Sequence, residues 1–288
     1  MRRASAIQEE AAQIETVKDL TAVFESIAST QVAKVKNKVE LSKQFFQLLW
    51  KRYSALRIDP STRITGRDRS VGAAAKPNVF VIISAEAGLS GDIDQRLINT
   101  MFKDYDVDST DIVVLGSHGA AQLQQRNIPY VRFFQVPETD SYIDVSPVVD
   151  AVYPYSHIVV YYEEYVSLGV QKIRTIDLIS SIQEMSEDAE EDVITDKDTI
   201  FEPSLDYIAD QMEVNMMTLA LSQTILESSL AQSASRFNAM ALAKDTAGDL
   251  LKSYQMEYNR AKRSESDRRM REILVSLKKK KRSRKGRT

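Results

Sequence analysis

The sequence predicts a mixed α/β fold in which two long terminal helices form an antiparallel coiled coil around an inserted α/β domain. Three observations predict it. From Ser204 to the end there is no proline, and as far as Lys285 the only glycine is Gly248. The first proline is Pro60 and the first glycine Gly66, so the opening stretch also lacks a stop signal. Between these two regions lie short β-branched runs separated by Gly/Pro turns. A globular domain punctuates itself with turn formers about every dozen residues, so each terminal region reads as one long helix. Such a plan suggests a shaft rather than an enzyme.

In the first helix, residues 1–57, Ser5 is a reasonable N-cap. Apolar positions step by three and four through Val32, Val35, Val39, Phe46, Leu49, Tyr53 and Leu56, with Ser42 at the one polar step. Ile7, Ile14, Val17 and Phe24 keep a compatible phase. This is the narrow seam of a coiled coil, not a wide core-facing stripe. At about 1.5 Å rise per residue, some 50 residues make a rod of about 75 Å. One globular core could not cover that length.

Residues 58–76 are a linker, with Pro60, Gly66 and Gly72 among Ser, Thr and Arg. The insert, residues 77–200, opens on VFVII at 79–83, the pattern of a strand buried on both faces. A turn at 88–91 and a helix at 92–102 follow. A second buried strand spans 112–115, and a helical stretch runs from Gly116 to Arg126. Residues 130–134 form a third strand, 145–152 a helix and 158–162 (IVVYY) a fourth strand. Alternating strands and helices predict a small, Rossmann-like open domain with a mostly parallel sheet. Residues 184–198 are acidic and polar, and read as a surface loop.

The last helix, 201–277, follows Pro203, well placed in a first turn. Its seam is a heptad: Met212, Leu219, Leu226, Ser233, Met240, Ala247, Tyr254 and Ala261. A companion row holds Met216, Leu230, Phe237, Leu251 and Tyr258. Ser228, Ser229, Ala231, Ser233, Ala234 and Ser235 are small, and predict a tight contact with the other long helix.

Of the 288 residues 43% are hydrophobic and 27% charged, as in a soluble folded protein. No apolar run approaches the ~18 residues of a membrane span, and no signal peptide is visible. Without cysteine there are no disulfides, thiol catalysis or thiolate metal sites. The net charge of −3 hides an asymmetry. Eight of the 38 basic residues lie in 278–287, which has no acid; the other 30 face 41 acids, a net −11. Residues 278–288 therefore read as a basic, disordered tail on an acidic body, with binding to phosphate-rich surfaces as the sharper alternative.

No catalytic constellation emerges, and no metal or cofactor is called for. Gly88-Leu89-Ser90-Gly91 follows a buried strand but lacks the spacing of a phosphate loop. His118 and His157 stand without metal-ligand spacing and read as surface or turn residues. Glu163 and Glu164 read as a solvated pair, and neither Ser84 nor Ser90 sits in a nucleophile elbow. More distinctive is the basic cluster from Tyr258 through Asn259, Arg260, Ala261 and Lys262 to Arg263. Its ordinary reading is a solubilising helix face. The sharper one is a contact with an acidic loop on another subunit.

Several of these segments resemble the gamma subunit of F-type ATP synthases, the central rotor shaft. Phe201-Glu202-Pro203-Ser204 resembles that family's helix entry, and Arg236-Phe237-Asn238-Ala239-Met240 its R-M-x-A-M motif. Asp245-Thr246-Ala247-Gly248-Asp249 is similar to its D-N-A segment, residues 258–262 to Y-N-[KR]-A-R, and Glu272-Ile273 to its final E-I. In the insert, ISAEAGLSG at 83–91 resembles I-T-S-D-[RK]-G-L-C-G. Residues 162–167 with Gln171 look like Y-x-x-F-V-S…Q. At the amino end only the helical pattern and Thr21 match.

The resemblance implies a mechanical, non-catalytic role at the cytoplasmic face of a bacterial plasma membrane, as a peripheral subunit present in one copy per complex. Implied partners are the alpha and beta subunits in a hexamer, the epsilon subunit and the membrane c-ring. Implied contacts with the beta-subunit loops are Lys262 and Arg263 first, then Arg260, Asn259 and Asp267. The departures are Glu15 and Ala22 at positions of the family's lysines, Asp267 and Arg269 in the late I-T-x-E, Ser90 for the usual cysteine, and the chain beyond Leu277. The alternative is an adaptor coiled coil with an α/β head and a nucleic-acid-binding tail.

Overall fold

The computed structural model describes residues 3–54, 76–136, 144–178 and 205–285. The expected linker up to residue 75, the acidic loop at 184–198 and the helix entry at 201–204 lie outside the described residues. The terminal helices are α1 (Ala4–Ser54) and α5 (Leu205–Lys285). The chain falls into two compact units: Ile27–Ala239, and Met1–Ser26 together with Met240–Thr288.

In the first of these units a five-stranded sheet has the order β3-β2-β1-β4-β5. Strand β1 (Asn78–Ile83) pairs in parallel with β2 (Thr110–Leu115) and with β4 (His157–Ser167), and β2 in parallel with the short β3 (Arg132–Phe134). The run VFVII is central because β-branched side chains on both faces need cover on both faces. Val79, Val81 and Ile83 point to one side with Val113, Leu115, Ile158 and Val160, where α4 (Ser146–Val152) supplies Val148, Val149 and Val152. Val35 of α1 and Met216, Leu221, Ile225 and Leu230 of α5 complete that core. Phe80 and Ile82 point the other way, against Leu97, Ile98 and Met101 of α2 (Ile93–Asp104) and Leu123 of α3 (Ser117–Gln125).

One strand has no counterpart in the sequence reading. Strand β5 (Val170–Asp177) returns antiparallel to β4 after the two-residue turn Leu168-Gly169. Gln171 Nε2 donates to the carbonyls of Ser167 and Leu168 at 3.0 and 2.9 Å, which holds the turn. The apolar residues of β5, Val170, Ile173 and Ile176, fall only at every third position, so it lacks the continuous apolar run that marks β1. Its exposed Lys172 and Arg174 discourage edge-to-edge pairing.

In the second unit α1 and α5 run antiparallel. The backbone N–H of Ala4 donates to Glu265 Oε1 at 3.2 Å, Lys244 pairs with Glu25, and Gly248 faces Lys18. Ala4, Ile7 and Ala261 form a small core flanked by Tyr254 and Tyr258. Along α1 one inward column is Ile7, Ile14 and Thr21 here and Ala28 and Val35 in the larger unit, at a seven-residue spacing. Val17 and Phe24, which share the three-four stepping, are instead 52% and 39% exposed. The second column runs instead through Ala4, Ala11, Lys18, Glu25, Val32 and Val39, one position after Val17 and Phe24, and with the first it makes the three-four seam of a coiled coil. On α5, helix continues through Lys285 into the segment read as a basic tail, since no turn former precedes Gly286.

Candidate functional site

Two places in the molecule bring distinctive side chains together. The first is the carboxyl end of the sheet, in the unit of residues 27–239. Strand order reverses direction at β1, with β2 on one side and β4 on the other. In open α/β sheets ligands bind in the crevice at such a switch point. Here that crevice is filled by α5.

The filling is polar and specific. Ser228 Oγ lies 3.1 Å from Glu163 Oε2 and 3.4 Å from the Ile83 carbonyl, and Gln232 Nε2 donates to Ser228 Oγ at 3.1 Å. One turn further, Ser235 Oγ donates to the Ser90 carbonyl at 2.6 Å. Arg236 donates from Nε to the Gly88 carbonyl at 3.1 Å and from Nη2 to that of Ala87 at 2.8 Å. Asn238 Nδ2 reaches the Leu168 carbonyl at 2.6 Å. Small side chains on this stretch of α5 are therefore required by the carboxyl end of the sheet. Ala231 and Ala234 are fully buried between these polar positions.

Below this layer the loops after β1 and β2 are tied to each other. Asp94, in the first turn of α2, accepts from the Ala85 N–H at 2.8 Å and from Ser90 Oγ at 3.0 Å, and lies 3.3 Å from His118 Nδ1. Ser84 Oγ donates toward the Leu115 carbonyl and accepts from the Gly119 N–H. Gly116, at φ 99°, brings its backbone so close that a Cβ there would stand 2.2 Å from the Ser84 carbonyl oxygen. The turn at 88–91 is thus a surface gripped by α5, and His118 belongs to this polar layer as the neighbour of Asp94.

Glu163 departs from its expected state. It is fully buried rather than solvated, and burial first, then the Asp94 carboxyl, pushes its pKa well above the ordinary range. Strand β4 continues past the last residue of β1 with which it pairs, which carries residue 163 beneath α5. Glu164 does remain at the surface side, paired with Arg174 at 2.9 Å.

The second place is the far part of α5, in the other unit. Asn259, Arg260, Lys262, Arg263 and Asp267 are all exposed, whereas Ala261 between them is buried against Ala4 and Ile7. Lys262 Nζ lies 5.7 Å from the Tyr258 ring centre, a cation–π contact that keeps its charge outward. Beyond them Met270, Ile273, Leu274 and Leu277 recur at helical spacing, each more than half exposed. Of the seam residues, Val35, Leu226 and Met240 are buried, and Val32, Val39, Met212, Leu219 and Tyr254 half-buried. The side chains of Phe46 and Leu49 lie outside the description.

Asp94, Ser228, Gln232 and Ser235 were not singled out as functional in the sequence. The signal that could have found them is the cluster of polar side chains between buried alanines on one helix, at positions where a plain seam would be apolar.

Comparison with known proteins gives one consistent result. Residues 3–277 match the family model described as ATP synthase. The ATP synthase gamma chain of Alkaliphilus metalliredigens is 24% identical over 276 residues, covering 91% of this chain and 93% of that one. That of Cytophaga hutchinsonii is 25% identical over 211 residues, covering 68% and 71%. Among solved structures, a chain of the Euglena gracilis mitochondrial ATP synthase OSCP/F1/c-ring assembly superposes with a TM-score of 0.68 at 16% identity, covering 95% of this chain and 94% of that one. A chain of the Tetrahymena thermophila mitochondrial ATP synthase central stalk and c-ring gives 0.57 at 15% identity, covering 78% and 99%.

Proposed function

Because the chain belongs to the ATP synthase family, with gamma chains as its curated relatives, we propose that it is the central rotor shaft of such a complex. It is a non-catalytic subunit that couples ion flow through a membrane c-ring to ATP synthesis or hydrolysis at the beta subunits. Its partners are an alpha–beta hexamer, an epsilon subunit and the c-ring. It sits peripherally at the cytoplasmic face of a bacterial plasma membrane. No helix among the described residues is long and apolar enough to cross a membrane.

The observation that carries this reading is the filled crevice at the sheet end. A rotor has to pass torque between its α/β foot and its long helix, and torque needs a joint that does not slip. Ser228, Ser235, Arg236 and Asn238 make that joint, all reaching main-chain carbonyls that cannot swing away. Turning the shaft presents a different face to each of three beta subunits and biases each toward a different state. The exposed Asn259, Arg260, Lys262, Arg263 and Asp267 are the proposed contacts with beta-subunit loops. Their support is that the helix holds them outward while Ala261 anchors its other side. The relatives and structures named above are all parts of ATP synthases, and the adaptor reading is set aside.

The test is co-expression with the alpha and beta chains of the same source, followed by sizing and an ATPase assay with and without this chain. One copy per hexamer and hydrolysis that depends on it are expected. A hexamer that turns over equally well alone would overturn the proposal.

A further inference from the structure

We propose that Glu163 is a proton-binding site that fastens α5 to the end of the sheet, a seam built for the neutral carboxylic acid that loosens when the proton leaves. The inference concerns the larger unit alone and does not depend on the rotor reading.

The geometry fits the acid better than its anion. Glu163 is wholly buried, and its Oε1 has no hydrogen-bond partner among the described residues. Its Oε2 lies 3.1 Å from Ser228 Oγ, and the Gln232 amide is a second hydrogen-bonding neighbour of the carboxyl. If the carboxyl is protonated on Oε2, it donates to Ser228 Oγ, which also accepts from Gln232 Nε2 at 3.1 Å. The serine hydroxyl hydrogen is then free to reach the Ile83 carbonyl at 3.4 Å. The hydrogens of Glu163 and Ser228 are both used, and the one carboxyl oxygen left over is that of a neutral C=O. If the carboxyl is ionised, Ser228 must turn its only hydrogen to Oε2 and Ile83 loses it. The anion then stands buried with only the Ser228 hydroxyl and the Gln232 amide to replace water, with no counter-charge in contact and with Oε1 bare, and burial outweighs their help.

The surroundings supply no counter-charge at contact distance. From α2 the groups facing the site are Asp94, whose carboxyl opposes ionisation, and Arg96, whose help is the weakest of the contributing effects. From α5 they are the neutral Ser228 and Gln232. His118 of α3 lies beyond, on Asp94, and Arg236 turns to the carbonyls of Ala87 and Gly88. Glu227 of α5 and Glu164 of β4 interact with Tyr162 and Arg174 instead. No Lys, Arg or His among the described residues forms an ion pair with Glu163.

The consequence for stability has a definite sign. A glutamate ordinarily ionises near 4.5, and in the folded chain this one holds its proton to higher pH. The stability it contributes is whole below that ordinary value and falls as pH rises through the folded value. Glutamine is the isostere of the neutral acid: its amide can donate to Ser228 Oγ and does not titrate.

The experiment uses the full chain. Infrared difference spectroscopy near neutral pH should show the C=O stretch of a protonated carboxylic acid, sensitive to deuterium, in wild type and in Asp94→Asn but not in Glu163→Gln. Thermal melts over about pH 5 to about pH 9 should show the Tm of Glu163→Gln gaining on wild type by about 3–5 °C per pH unit until the folded pKa is passed. Absence of the band from wild type, its loss in Asp94→Asn with retention in Glu163→Gln, or a Tm gap that stays flat with pH overturns the proposal. Should the glutamine variant not fold, the wild-type band decides alone: it must be present near neutral pH and vanish reversibly on alkaline titration.

Discussion

The sheet-end joint and the far tip of α5 are built on the same helix by opposite means. At the joint α5 meets β1, β4 and the loop at 84–91, and Ser228, Gln232 and Ser235 are buried as fully as the apolar residues beside them, with Arg236 and Asn238 half-buried. At the tip, among the described residues, it meets α1 through Ala4, Ile7 and Ala261, and nearly every charged side chain is exposed. A helix packed on a sheet gains a deep core and fixed backbone acceptors. A helix packed on one other helix gains a narrow seam and leaves most of its circumference free for other partners. The difference separates a part that must not slip from a part whose outer face is offered to something else.

Breaking the joint should be the most damaging change. Gly116→Ala would force a Cβ to within 2.2 Å of the Ser84 carbonyl at a positive φ. It should destabilise the α/β unit by about 3 kcal/mol or more, read as a lost or sharply lowered melting transition. Next comes one truncation made in both regions. Ile225→Ala, in the core under the sheet, should cost about 3 kcal/mol in denaturant melts, near the middle of the range for buried aliphatic side chains. Ile7→Ala in the thin seam should cost about 1–2 kcal/mol, because a two-helix contact can collapse around the gap. Equal costs would mean that the two regions are not as different as their packing suggests. The smallest structural effect belongs to Lys262→Ala with Arg263→Ala. The pair should leave the melting curve in place yet lower the hydrolysis rate of the reconstituted hexamer, as measured by coupled ATPase assay. A shifted melt without a rate change would remove these residues from the proposed beta-subunit contact.

The same contrast explains what could be read from the sequence. The two long helices and the parallel strands were legible because absent turn formers and β-branched runs are local signals. VFVII at 79–83 fell within β1, and IVVYY within β4. Strand β5 was missed because Val170, Ile173 and Ile176 fall at every third position, with Ile173 on one core and Ile176 on the other, a spacing that is neither a continuous apolar run nor a period of two. On α1 the three-four stepping admitted two columns, and only the packed structure shows that Ile7, Thr21, Ala28 and Val35 turn inward while Val17 and Phe24 do not. The joint was the least legible part. Ser228 bonds to Glu163 across 65 positions, and Ser235 to Ser90 across 145. No local pattern around Glu163-Glu164 tells which of two adjacent acids will be covered by a helix so distant in the chain.

The turn between β4 and β5 has a practical consequence. A Cβ placed on Gly169 would have nothing within 4 Å, and its φ is not in the left-handed region, so a side chain fits there without strain. Since the sequence contains no cysteine, Gly169→Cys would carry the one thiol of the chain. A fluorophore or bead coupled to that thiol would ride on the foot domain, and rotation could be watched directly without first stripping native thiols from this subunit.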